Sequence, residues 1–493
     1  MKQAPFSKSV YGTSLTLLTD LYELTMAYGY WKQGMADRKA SFYLSFRRKP
    51  FHGEYAIAAG LQTFIEYLEN FHFDETDIAY LRTLKDPLGF PLFEEAFLLY
   101  VKDFSFSCDI DAMPEGTICF PYEPLIRVTG PILQAQIIES VLLNIINFQT
   151  LIATKASRVC WAARKDPVAE FGLRRAQGID GAISASRAAY IGGCHSTSNT
   201  LAGKLYGIPV AGTHAHSWIM AFDNELTSFY AFSEALPNSC IFLIDTYNTI
   251  SGVKNAIKVA KDLRVQGKEM IGVRLDSGDL SRLSIEVRAI LDEAGFPDAK
   301  IMASNELDEF VIRDLKAQGA KVNIWGVGTN LVTGKEQPAL DGVYKLSALE
   351  DDQGNWQDKI KISEQWAKVT NPGLLQVRRF SSEQGYLCDA VFDIHKSSDI
   401  KSFLDPFDPS NEKEVHPQWA YKDLLVPVVR GGKVVYNFPS LDEIRNLALA
   451  ELDLVPHGTR RFLNPQPYFV GLERTVFTRK LDLIKEIKTQ MSP

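Results

Sequence analysis

The sequence predicts an α/β protein: an irregular, TIM-like α/β barrel over residues 126–345, preceded by an N-terminal α+β domain (1–125) and followed by a C-terminal α+β region (346–493). Three observations predict it. Short apolar runs begin at residues 210, 241, 270, 300 and 322, about 30 residues apart until the shorter last step. Helical patterns such as NAIKVAKDLRV and LSIEVRAILDEA separate them, and this alternation marks parallel βα units whose solid apolar strands are covered on both faces. Every run also ends in polar residues, as expected where the strand exits of a barrel meet at one rim.

Size and charge narrow the possibilities. A chain of 493 residues with 46% hydrophobic and 23% charged residues is too long for one core and has the balance of a globular protein. Its net charge of −7 argues against a nucleic-acid surface, which needs clustered cations to displace phosphate counterions. An anionic ligand must therefore be gripped by local basic residues or a metal. The six cysteines (108, 119, 160, 194, 240, 388) form no CxxC pair and read as free thiols of a reducing compartment. The first twenty residues lack the apolar core of a signal peptide. The longest apolar segment, 131–148, is broken by Gln134, Gln136, Glu139 and Asn144, so a helix outside the membrane is expected. The expectation is a cytoplasmic protein with neither nucleic-acid nor membrane partners.

Taken in order, the chain begins with an expected loose start. In TLLTDLYELTMAYGYW, Asp20 and Glu23 have the spacing of a helix-starting capping pair, and Tyr22, Met26 and Gly29 follow one helical face. Residues 40–46 alternate, Ala40, Phe42, Leu44 and Phe46 against Ser41, Tyr43 and Ser45, which predicts a half-buried strand. It runs into Arg47, Arg48 and Lys49, a candidate phosphate grip in an acidic protein. Aromatic helical segments such as LQTFIEYLENF read as scaffold, and EGTICFPYEPLIRVTGP as strand punctuated by prolines. Beyond 345, LLQVRRF, YLCDAVFDI and LLVPVVRGGKVVYNF read as short strands, the last pair a hairpin across Gly431 and Gly432. Helices over about 441–452 and after Arg474 close the chain.

The chemistry gathers at the exits of the apolar runs. These carry Thr213 with His216, Asp245, Arg274 with Asp276 and Asp279, Ser304 with Asn305, and Gly328 with Thr329. One polar exit is a cap; five in succession suggest a shared site. VAGTHAHSWIMA places two histidines at a strand-to-helix junction, where imidazole and free N–H groups can meet an anion. Arg274 and Asp276, two apart, project to the same side. In EFGLRRAQG, Phe171 offers a flat face beside Arg174 and Arg175, and arginine binds carboxylate or phosphate bidentately. Gly326 and Gly328 in IWGVGTN allow backbone amides to approach a phosphate. Together these point to a flat ring joined to a multiply charged phosphate ester.

Several long motifs, LLTDLYELTMAYGYW, FRRKPF, EFGLRRAQG, VAGTHAHSW, GVRLDSGDL and GVGTNLVTG, with GVYKL just beyond, lie in one order from residue 17 to about 346. In them the chain closely resembles the nicotinate phosphoribosyltransferases of the type II phosphoribosyltransferase group. The resemblance implies that nicotinate and 5-phosphoribosyl 1-diphosphate form nicotinate mononucleotide and diphosphate, coupled to ATP hydrolysis with Mg2+, as an entry to NAD synthesis. It implies a phosphorylated His216 and a catalytic set of His216, Arg274 and Asp276. Tyr22 and Phe171 would sandwich the pyridine ring, with Thr213 and Arg274 on its carboxylate. Asp276 would hold the ribose, while Gly326, Gly328 and Thr329 would cradle the 5-phosphate, with Arg174, Arg47 and Asp20 near the phosphates. It also implies a homodimer with shared sites.

The nearest rival is a nicotinamide phosphoribosyltransferase. Relatives that use the amide carry an aspartate where this chain has Asn199, and the absence of a carboxylate there favours the acid. A catalytically silent nucleotide-binding relative is the other rival, opposed by the joint presence of His216, Arg274 and Asp276. A Schiff-base lyase is disfavoured because no lysine stands at these exits.

Overall fold

The computed structural model describes residues 14–397 and 399–491, and the expected loose start lies largely outside them. The chain divides into two compact units. The first takes in the described residues up to Thr150 with Leu340–Ser440 and those from Ala450 onward; the second comprises Leu151–Ala339 and Leu441–Leu449.

The first unit is built on two large sheets, with Ala56–Ile57 and Ile118–Cys119 forming a two-stranded third. In the seven-stranded one, Lys39–Phe46 lies between Gly342–Glu350 and Ile126–Pro131, antiparallel to both. The expected half-buried strand is corrected here: Ala40 to Phe46 are all buried, Ser41 and Ser45 included. Phe42 stacks on Tyr344 at 5.0 Å, and on the other face the Tyr43 hydroxyl accepts the Asn371 N–H at 3.1 Å. The expected hairpin forms, Val426–Arg430 pairing with Lys433–Val434 across Gly431 and Gly432 at φ 53° and 76°. The six-stranded second sheet includes Leu375–Ser382 and Gly385–Asp393.

The capping pair is also corrected. Asp20 takes the N-cap position of the helix Leu21–Lys32, but its side chain makes no cap hydrogen bond. Ser140 engages both acids instead, its hydroxyl donating to Asp20 (3.0 Å) and its N–H to Glu23 (2.8 Å). A tertiary partner thus displaced the local one. The apolar segment 131–148 forms the helix Ile132–Ile137 and the start of Glu139–Ala163. No helix among the described residues is long and apolar enough to cross a membrane.

The second unit holds a six-stranded sheet. Its strands are β1 (Val168–Glu170), β2 (Ser196–Thr197), β3 (Ile241–Leu243), β4 (Gly272–Leu275), β5 (Lys300–Ala303) and β6 (Ile324–Val327). The order is β2-β1-β6-β5-β4-β3, and every pairing is parallel. Phe242, Val273, Ile301, Trp325 and Val327 are wholly buried, as strands covered on both faces require. Gly272 permits the approach of β5, since a Cβ there would lie 2.2 Å from the Lys300 carbonyl oxygen. The apolar run at Val210 forms only a single parallel bridge to Thr197, so it is not a strand. The parallel α/β sheet is observed; closure into a barrel is not found among the described pairings.

Side-chain caps start the connecting helices. Asn248, Asp279 and Asp308 accept N–H groups of Ser251, Arg282 and Val311 at 2.9, 3.0 and 2.8 Å, each contributing about 1 kcal/mol. At the start of the helix after β5, Glu309 is wholly buried against Lys155 (2.7 Å) and Arg158 (2.8 Å).

Candidate active site

The exits of β4 and β5 and the segment leading to His216 converge on one guanidinium. Arg274 donates from Nη1 to Thr213 Oγ1 (3.1 Å), from Nε to Ser304 Oγ (2.9 Å) and from Nη2 to Asp276 Oδ1 (3.0 Å). Ser304 in turn donates to Asp276 through a short hydrogen bond. Burial favours the neutral acid at Asp276, but the Ser304 hydroxyl and the Arg274 guanidinium outweigh it and hold the carboxyl below its ordinary range. From β3, Asp245 accepts the Asp276 N–H (2.8 Å) and the Ser277 hydroxyl (2.6 Å). Four chain segments are thereby locked around one cation.

His216 opens the short helix His216–Met220 above this network. Its Nε2 lies 3.6 Å from Asp276 Oδ2 and its Nδ1 3.1 Å from Thr246 Oγ1, with the side chain 40% exposed. His214, two residues earlier, is different. It is buried, its Nε2 accepts the Leu243 N–H at 3.3 Å, and burial lowers its pKa to about 4. Of the two histidines, one is an open, oriented imidazole and the other a neutral interior ring.

β1 supplies Phe171. Arg274 Cζ lies 5.8 Å from that ring, and the ring packs where Gly326 has no side chain: a Cβ there would meet Phe171 Cδ2 at 2.9 Å. Gly328 likewise faces the Phe171 carbonyl, and a Cβ at Gly172 would come within 2.2 Å of Val332. Buried Glu170 orients this turn, accepting the Gly172 N–H and the hydroxyls of Ser186 (2.8 Å) and Thr197 (2.6 Å). Thr329 starts the helix Thr329–Val332, and Arg174 is exposed in the turn Leu173–Arg175. Asn330 donates to the Glu306 carbonyl (2.9 Å), bracing the left-handed residues Asn305 and Glu306 that follow β5. Asn199 is buried and caps the helix Thr200–Tyr206, accepting the Ala202 N–H at 3.2 Å.

Asp20, Tyr22 and Arg47 belong to the first unit. Tyr22 is 45% exposed, and burial together with Glu139, Glu23 and Asp20 raises its pKa. Of the three cations, Arg48 pairs with Asp341 (3.1 Å) and Lys49 with Glu54 (2.5 Å), while Arg47 reaches the Lys368 carbonyl at 3.4 Å. Burial lowers the pKa of Lys480 to about 8, with Arg47 adding to the effect.

Thr213, His216, Arg274 and Asp276, named from the sequence, are joined by direct contacts, and Phe171 stands against Arg274. Sequence reasoning assigned no role to Asp245 or Ser304 and passed over Thr246 and Glu170. Their only signal was a place just after an apolar run.

Three stretches match family descriptions in order: residues 17–147 the nicotinate phosphoribosyltransferase (NAPRTase) N-terminal domain, 167–355 the NAPRTase family, and 376–480 the C-terminal domain. The nicotinate phosphoribosyltransferase of Bacillus subtilis is 42% identical over 493 residues, covering 97% of this chain and 97% of its own. That of Mus musculus is 34% identical and covers 92% and 94%. The crystal structure of human nicotinic acid phosphoribosyltransferase superposes with a TM-score of 0.83 at 30% identity, covering 94% of this chain and 99% of its own. A nicotinate-nucleotide pyrophosphorylase from Pyrococcus furiosus, with a TM-score of 0.67 and 23% identity over 92% and 97%, shares the fold alone.

Proposed function

The chain belongs to the nicotinate phosphoribosyltransferase family, and from that premise we propose how its residues share the work. The protein is an enzyme of NAD biosynthesis that joins nicotinate to 5-phosphoribosyl 1-diphosphate, giving nicotinate mononucleotide and diphosphate. The observation that carries the assignment of roles is the Arg274 hub, with Thr213, Ser304 and Asp276 on three separate nitrogens.

In this reading the parallel strands are the staves of an irregular TIM-like barrel, with the site at its rim. Tyr22 and Phe171 sandwich the pyridine ring, and Thr213 and Arg274 hold its carboxylate. Arg274 retains N–H groups at both terminal nitrogens for that purpose. The ring nitrogen bonds to ribose C1 as the bond from C1 to the diphosphate oxygen breaks, its electron pair leaving with the diphosphate. Asp276, kept ionised, accepts the ribose hydroxyls. Gly326, Gly328 and Thr329 line the 5-phosphate, and Arg174, Arg47 and Asp20 serve the phosphate side. Arg47 suits this role because Arg48 and Lys49 already have carboxylate partners.

ATP is the proposed phosphoryl donor to His216, and coupling requires that the phosphorylated and free enzyme bind substrates and products differently. Among the described residues no three His, Cys, Asp or Glu side chains form a metal cage. Magnesium carried on the diphosphate needs only one or two protein carboxylates, which Asp276 and Asp245 would supply, the shielded Asp245 Oδ1 having no hydrogen-bond partner of its own. Magnesium, when bound, neutralises the leaving group. A cytoplasmic homodimer with shared sites completes the reading. Leu15, Leu18, Leu21, Tyr22 and Met26, all at least 41% exposed, support it as large apolar side chains left uncovered near one another in sequence.

The test is phosphoribosyl transfer with and without ATP, nicotinate beside nicotinamide. Nicotinate turnover stimulated by ATP is expected. Preference for the amide, or no diphosphate release, would overturn the assignment, and a solution mass of one chain would overturn the dimer.

A further inference from the structure

The proposed roles leave His214 unused, although it sits between Thr213 and His216. β3 is an edge strand of the parallel sheet. Its Ile244 N–H points to β4 and donates to the Arg274 carbonyl at 3.2 Å, so the alternation of a strand turns the Leu243 N–H to the open side. There it meets His214 Nε2 at 3.3 Å. At the other edge, Thr197 of β2 donates to the Pro209 carbonyl and accepts the Ala211 N–H, both at 3.0 Å. The segment 209–214 is therefore bonded to both edges of the sheet, by backbone to β2 and by one imidazole to β3.

We infer that His214 is a positioning residue: its ring stands in for a missing strand pairing and fixes the span over which Thr213 and His216 are presented to Arg274 and Asp276. Nε2 accepts, so the proton resides on Nδ1 and the ring is neutral. Phe232 packs edge-on at 4.8 Å, with Phe229 at 6.1 Å and Phe242 at 6.5 Å, an enclosure that excludes an imidazolium. The hydroxyl of Thr213 is shared between the His214 carbonyl (3.2 Å) and Arg274 (3.1 Å), so movement of the clasp is passed directly to the guanidinium. The inference rests on the roles proposed for Thr213 and His216.

Two variants of the full chain test it, His214→Leu, which fills the aromatic enclosure without an acceptor, and His214→Gln, which restores an acceptor. Loss of one net hydrogen bond corresponds to about a tenfold change. In His214→Leu the Leu243 amide should exchange about tenfold faster while those of β4 hold, and the nicotinate KM should rise about tenfold with the phosphoribosyl donor KM within about twofold. His214→Gln should recover part of both. Unchanged Leu243 exchange in His214→Leu, faster exchange with unaltered kinetics, or equal damage in both variants would overturn the proposal, the last assigning the ring to packing alone. Exchange is read without substrate, so absence of transfer in the unaltered protein would fail the enzyme reading while Leu243 still decides the clasp.

Discussion

Arg274→Lys keeps the charge and discards the fork. The guanidinium reaches three partners on divergent nitrogens: Thr213 at 3.1 Å, Ser304 at 2.9 Å and Asp276 at 3.0 Å. One ammonium cannot span them and will keep the carboxylate. Two bonds to hydroxyls are then lost, at about 1 kcal/mol each, and the geometry at Asp276 weakens by up to about 1 more. Because the Arg274 side chain is only 15% exposed, solvent does little to repair the loss. A total of about 2–3 kcal/mol corresponds to roughly a 30- to 150-fold fall in kcat/KM for nicotinate. Steady-state rates should be measured with nicotinate and 5-phosphoribosyl 1-diphosphate varied in turn, beside a thermal melt to establish folding. A folded variant that loses equally toward both substrates, or keeps its nicotinate KM, would refute the argument that this hub serves the pyridine acid.

His216→Ala should abolish ATP hydrolysis yet leave slower, uncoupled transfer; retained ATPase would remove the phosphoryl role. Gly326→Ala sets a methyl 2.9 Å from the Phe171 ring; the overpacking cost of about 1–3 kcal/mol should appear as a nicotinate KM raised about tenfold, and a KM that stays put would mean that the ring does not shelve the substrate. Glu309→Gln deprives Lys155 and Arg158 of their shared carboxylate and should cost about 3–5 kcal/mol by denaturant titration. Burial acts to raise the Glu309 pKa, but Lys155 and Arg158 outweigh it and hold it below the ordinary glutamate value. That stabilisation is complete above the unfolded glutamate pKa and is lost as pH falls through the lower folded one, so Gln should also flatten the acid limb of stability against pH; an unaltered limb would show that Glu309 does not supply it.

What the sequence revealed was local. Spacing of about 30 residues exposed β3, β4 and β5, each a short apolar run followed by a helix with its own side-chain cap, and β6 followed as one more apolar run after a shorter step. β1 ends in a glutamate and β2 is the polar pair Ser196–Thr197, so neither is a solid apolar run, and Val210 looked like a strand without pairing as one. Thr213, His216, Arg274 and Asp276 stood out because imidazole, guanidinium and carboxylate are conspicuous at strand ends. Asp245 and Ser304 were visible only as members of the row of polar exits, without a role of their own, and Thr246 not at all, since hydroxyls and acids are equally common in turns. Asp20 and Glu23 were misread for a related reason: the partner they share is Ser140, which donates to both, and no pattern in the neighbouring residues announces a partner that distant.

The central place of Lys39–Phe46 in its sheet bears on how the polypeptide is made. One flank is supplied by Gly342–Glu350, about 300 residues later. At ribosomal speeds of roughly 5–20 residues per second, a nascent chain carries that apolar strand for about 15–60 s before its second neighbour is synthesised. Such a segment invites chaperone holding during translation and sets a penalty on premature termination: any product ending before Gly342 leaves the ribosome with an adhesive edge and nothing to cover it.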